Sequence, residues 1–152
     1  FPVIRLADIY LLYAEAMNEA YGPNDAADLG WTALEALNKV RTRAGITVSY
    51  TTTSQTEMTK KIRNERRVEL AFEDQRYFDL RRWKDAKDEE SLPMYGCNVF
   101  MTKGERDLFY KPVPVSDVLT CFAEKTYFWP IDRSELEKNV RLTQNPGWQS
   151  EK

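Results

Sequence analysis

Apolar residues recur every three or four positions between Arg5 and Ala20 (Leu6, Ile9, Tyr10, Tyr13, Ala16, Met17, Ala20), the period of an amphipathic helix. Tyr21-Gly22-Pro23-Asn24-Asp25 supplies a glycine stop, a proline that cannot continue the helix and an aspartate able to cap the next one. The spacing predicts a second helix over about 26–44, with Leu29, Ala33, Leu34, Leu37 and Val40 buried and Gly45 as its stop. So short a join makes the two helices antiparallel. Alanines at 7, 14, 33 and 36 fall on the facing surfaces, giving the α-hairpin from which helical-repeat solenoids are stacked.

After the polar loop Thr51–Ser54, which reads as surface with no binding role, Ser54-Gln55-Thr56-Glu57 has the spacing of a capping box. Ser54 is expected to cap the Glu57 amide while Glu57 reaches back. A long central helix is predicted from there to Trp83, with a possible bend at Asp74-Gln75. It carries Met58, Ile62, Val68, Leu70, Ala71, Phe72, Tyr77, Phe78, Leu80 and Trp83, too many apolar residues for one exposed face. The same helix holds Glu65, Arg66, Glu69, Glu73, Arg76, Asp79 and Arg82, so charges must turn inward, where they need partners. Three-residue steps offer Arg66–Glu69, Glu73–Arg76 and Asp79–Arg82, a structural ion-pair network. Glu69 and Arg76 are expected to be buried and paired with each other or with Arg41 and Arg43. On that reading Glu69→Ala costs about 3–5 kcal/mol.

Beyond Lys84 the helical period is lost. Cys97–Met101 and Leu108–Tyr110 could pair as a small hairpin around Lys103-Gly104, Ser116–Leu119 reads as one helical turn, and Asp132 with Glu135 predicts a short helix to about Asn139.

The chain's 152 residues are one domain's worth, read as a single domain 1–152 with a helical part 5–84 and a loop-rich part 85–152. A net charge of −2 argues against a nucleic-acid partner, which calls for a surplus of Lys and Arg. With no histidine, Ser-His and Cys-His pairs and His-containing zinc sites are excluded. Cys97 and Cys121 form neither a C-x-x-C pair nor a metal set, so no metal or other cofactor is expected; they could pair or stay as thiols. The abrupt opening Phe1-Pro2-Val3-Ile4, with no Met, reads as a piece of a longer protein.

Five motifs occur in one order: Arg5–Ala16 (RLADIYLLYAEA), Asn38–Gly45 (NKVRTRAG), Glu65–Glu73 (ERRVELAFE), Arg76–Trp83 (RYFDLRRW) and Gln144–Trp148 (QNPGW). Together they resemble the C-terminal part of the SusD/RagB family, and Pro130-Ile131-Asp132 resembles its Pro-Ile-Pro segment with aspartate for the second proline. The resemblance implies a mainly α fold with a tetratricopeptide-like α-hairpin, a long central helix and a loop-rich C-terminal half. It further implies a non-catalytic, surface-exposed lipoprotein of the outer membrane in Bacteroidetes-type bacteria. Such a protein is anchored through an N-terminal lipid and binds nutrients, most often glycans, for a TonB-dependent SusC-like transporter. The family's ligand site lies largely in earlier sequence, so no binding residue transfers to this chain.

Other readings of the same residues stand beside that one. Glu65, Glu69, Glu73 and Asp79 could be cast as glycosidase carboxylates, but an arginine three residues from Glu69, Glu73 and Asp79 favours ion pairing. Trp31, Tyr95, Phe100, Trp129 and Trp148 could stack on sugar rings. Trp83 and Trp129, within apolar segments, read as core, and Tyr95 and Phe100, in the loop-rich region, are the candidate ligand contacts. The chain alone is expected to bind glycans weakly or not at all. A helical-repeat scaffold that binds a partner protein and no small ligand is the alternative function.

Overall fold

The computed structural model describes residues 4–89, 92, 94–101, 108–115 and 122–149. Ser116–Leu119, Cys121 and the Lys103-Gly104 turn lie outside them. The chain forms two compact units, 1–77 and 78–152.

In the first unit, α1 (Leu6–Tyr21), α2 (Ala33–Arg43) and α3 (Gln55–Glu69) surround one core. The buried stripe of α1 is Ala7, Leu11, Ala14 and Met17; the predicted Leu6 and Ile9 are exposed, as are Ala16 and Ala20. The helix is apolar round most of its circumference, so its period alone admits two stripes. Small side chains decide between them, because Ala7 and Ala14 with Ala33 and Ala36 let α1 and α2 approach closely. Leu37, Val40, Met58 and Ile62 complete the core.

The second helix starts later than predicted. Asp25 accepts from the Ala27 amide in a turn, Ala27 and Asp28 have φ of 45° and 60°, and Leu29 is exposed. Thr32 is the true cap: it accepts from the Glu35 amide at 3.1 Å while Glu35 receives the Thr32 amide at 2.8 Å. At the next helix start Ser54 does cap Glu57, but the Glu57 carboxylate takes the Thr52 hydroxyl at 2.8 Å rather than the cap's own amide, which goes to Thr52 Oγ1. Gln55 Nε2 donates to the Asn18 and Glu19 carbonyls, and buried Asn18 donates to Gln55 O and Thr59, which pins the end of α1 to the start of α3.

The helix from Ser54 does not run to Trp83. It ends at Glu69, and α4 (Gln75–Arg82) follows a break in which Phe72 and Asp74 take φ of 65° and 60°. Two left-handed residues cannot be absorbed in an α-helix, so the expected bend is a full interruption. The exposure pattern is inverted there: Glu65 and Arg66 continue the buried stripe of Met58 and Ile62, whereas Val68 and Phe72 face outward.

In the second unit, α5 (Ala86–Glu89) leads to an antiparallel hairpin of β1 (Tyr95–Met101) and β2 (Leu108–Pro114), with Tyr95 opposite Pro114 and Met101 opposite Leu108. A 3-10 turn, Glu124–Tyr127, precedes α6 (Arg133–Lys138), which Asp132 caps by accepting from the Ser134 amide at 2.8 Å.

Candidate functional site

The charged residues of α3 meet those of α1 and α2 in a lattice. Arg41 Nη1 lies 3.0 Å from Glu65 Oε2, with side chains only 12% and 6% exposed. Arg66 Nη1 meets Asp8 at 2.8 Å. Glu69 receives Arg5 at 3.0 Å and Arg43, and Arg5 also reaches Glu73 at 2.7 Å and the Glu69 carbonyl at 2.7 Å. The Arg5 guanidinium is held above its ordinary value, chiefly by the hydrogen bond to Glu73 and less by that to Glu69, against a desolvation that lowers it. Asp79 and Arg82 pair at 2.9 Å within α4.

The partners of this lattice come from separate helices, not only from three-residue steps. Glu69 and Glu73 turn to Arg5 on the residue before α1, and Arg41 and Arg43 close the side towards α2. Arg5 and Asp8 had no partner visible in sequence order, since their contacts lie 58 to 68 residues away. Chemically the arrangement is a clamp. Glu65, Glu69 and Glu73 each have a guanidinium at hydrogen-bond distance, and Glu65 and Glu69 are almost wholly buried. Among the described residues, no three His, Cys, Asp or Glu side chains gather as a cation site.

The aromatic candidates are dispersed. Tyr95 and Phe100 are 65% and 52% exposed, but their odd and even places in β1 put them on opposite faces of the hairpin. Phe100 shares its face with Phe109, while Tyr95 shares the other with Val99 and Tyr110. Cys97 is an exposed free thiol in the same strand. Trp31 stacks on Tyr10 at 5.2 Å and carries Lys39 4.0 Å from its ring centre, so its ring is already occupied. Trp129, expected in the core, is 76% exposed, and Trp83 is half-buried. Trp148 is fixed by its indole N–H, which donates to the carbonyls of Lys125 and Phe128.

Known proteins share this fold. The profile of the SusD family matches residues 1–148. SusD-like protein P2 of Formosa agariphila is 29% identical over 95% of this chain and 25% of its own length. SusD-like protein P25 of the same organism is 40% identical over 53% of the chain and 15% of its own length. The crystal structure of a SusD-like protein from Bacteroides fragilis superposes with a TM-score of 0.74 at 28% identity, over 96% of this chain and 25% of that one. The chain thus spans a quarter or less of the length of these relatives. With its motifs, helical fold and near-complete profile match in agreement, the chain belongs to the SusD family.

Proposed function

We propose that this chain is the C-terminal region of a surface nutrient-binding protein that captures a glycan and passes it to a TonB-dependent SusC-like transporter. The observation that carries the reading is the family match over residues 1–148, supported by the backbone likeness to a SusD-like crystal structure. The role requires no chemistry on the ligand. In keeping with that, the Glu65 and Glu69 carboxylates of α3 are committed to guanidinium partners, whereas an acid–base pair needs two carboxylates flanking a bond. The lattice serves as a clamp that fixes three helices relative to one another. We place the protein at the outer-membrane surface, held by an N-terminal lipid on preceding sequence.

Two measurements test this. Calorimetric titration of the full-length protein with a panel of oligosaccharides should find a ligand, and the transporter should co-purify from detergent-solubilised outer membranes. Co-purification of a partner protein without any saccharide ligand would favour the helical scaffold, and cleaved products in the titration mixture would make it an enzyme. The 152-residue chain should show no micromolar affinity for neutral oligosaccharides, because Tyr95 and Phe100 do not converge on one concavity. Micromolar binding lost in Tyr95→Ala or Phe100→Ala would move the site onto the hairpin.

A further inference from the structure

Within residues 78–152 a cleft of about 440 Å³ opens between the end of α4, the 3-10 turn and the chain around Gly147. Its walls are tied together. Tyr127 Oη donates to the Lys84 carbonyl at 2.7 Å and accepts from the Lys87 amide at 3.2 Å, which joins the 3-10 turn to the turn after α4. The Trp148 indole joins the last segment to the same 3-10 turn through Lys125 and Phe128. Gly147 has φ of 81°, and a Cβ there would stand 2.6 Å from Lys125 Cβ, so only glycine permits this approach. Behind it, the Gln144 side chain brackets Ile131, accepting its amide at 2.7 Å and donating to its carbonyl at 2.8 Å. A cleft of this volume, cross-tied in advance, has the size of a small-molecule site and needs little ordering when filled.

Its chemistry is cationic on an apolar ground. Arg81, Lys84 and Lys125, the last with its ammonium 4.5 Å from the centre of the Trp148 ring, line the cleft with one carboxylate, Glu124, which itself lies 3.7 Å from Lys87. The rest of the lining is Phe128, Pro146, Gly147 and the ring of Tyr127, whose hydroxyl is already engaged by backbone. Lys84 sits at φ of 60°, a left-handed conformation that persists in a lysine only where the surroundings hold it. Positive charge beside apolar walls attracts an anion more strongly than the same charge in open water.

We propose that this cleft binds a small organic anion, a carboxylate carried on a ring with an apolar face, as in a sugar acid. Lys84, Lys125 and Arg81 hold the carboxylate, and the ring lies against Phe128 and Pro146. The site is distinct from the hairpin aromatics and does not depend on the transport role.

The test is calorimetric titration of the protein with glucuronate, glucose and inorganic sulfate. Glucuronate should bind with a Kd of about 1 mM or below, and glucose should give no binding. Affinity should fall as sodium chloride is raised, since screening weakens the contact. The double variant Lys84→Gln/Lys125→Gln should lose at least about tenfold in affinity, the effect of about 1.4 kcal/mol. Both side chains are exposed, so the variant should keep its circular dichroism spectrum. Glucose binding as tightly as glucuronate, no glucuronate binding up to about 10 mM, or salt-independent affinity would overturn the proposal. Sulfate binding more tightly than glucuronate would overturn the part assigned to the ring.

Discussion

Arg41→Met tests whether the helix clamp is buried ion pairing or surface decoration. The methionine keeps most of the arginine stem and removes its charge. Glu65 would then stand 6% exposed with its guanidinium gone, and Arg41 is the only side chain that the structure sets against it at hydrogen-bond distance among the described residues. Stranding a charge so deeply buried costs about 3–5 kcal/mol. Losing the Arg41 contact to the Val48 carbonyl at 3.2 Å adds about 1 kcal/mol, and losing the guanidinium over the Tyr50 ring, 3.7 Å from its centre, about 0.5–1 kcal/mol more. Because both charges are shielded from water, the figure needs little discount for screening. Urea unfolding followed by far-ultraviolet circular dichroism reads it, the change appearing in the midpoint with an unaltered slope. The double variant Arg41→Met/Glu65→Leu separates the causes. Replacing both partners by apolar residues should recover most of the loss, since no charge is left buried. A single-variant loss below about 0.5 kcal/mol would mean a solvated pair. A double variant as unstable as the single one would mean that packing, not charge, carries the effect.

Glu69→Ala should cost about 1–3 kcal/mol in the same assay, less than its sequence position alone suggested, because Arg5 retains Glu73 and Arg43 is 60% exposed; a loss near 5 kcal/mol would refute that sharing. Phe72→Gly should raise the stability of this chain by about 1 kcal/mol, seen as a melting temperature higher by about 2–4 °C, since Phe72 is fully exposed at φ of 65°; a lower melting temperature would show that its ring is packed in solution. The Asp132 carboxyl is held below its ordinary value, first by the Ser134 hydroxyl and then by the Ser134 amide, so its cap is present above about pH 4 and lost as pH falls through the lowered value. Carbon-detected NMR titration should show it moving upward in Ser134→Ala, and an unchanged value would refute the hydroxyl's role.

Local chemistry was legible in the chain. The extent of the first helix, the Ser54 and Asp132 caps, and the hairpin between Cys97–Met101 and Leu108–Tyr110 depend on neighbours a few residues away, and they appear where the spacing puts them. The start of α2 was legible too, but in the Thr32–Glu35 box rather than in Asp25. The ordered motifs carried the family, because five short patterns in one sequence are jointly far more specific than any one.

What the tertiary structure alone decided is which way each surface faces. An α1 apolar nearly all round has no preferred stripe until Ala33 and Ala36 offer it a close partner. Val68 and Phe72 look like core by type, yet they face outward while Glu65 and Arg66 go in, because the inner positions of α3 lie opposite Arg41 and Asp8. Periodicity measures only rotation about a helix axis. Partners brought from 58 or 68 residues away, as Asp8 and Arg5 are, enter no local pattern, and it is those partners that make burial of a charge tolerable. The cleft beside Gly147 has the same origin: three separate segments form its walls, and the chain's order records only the glycine that lets two of them touch.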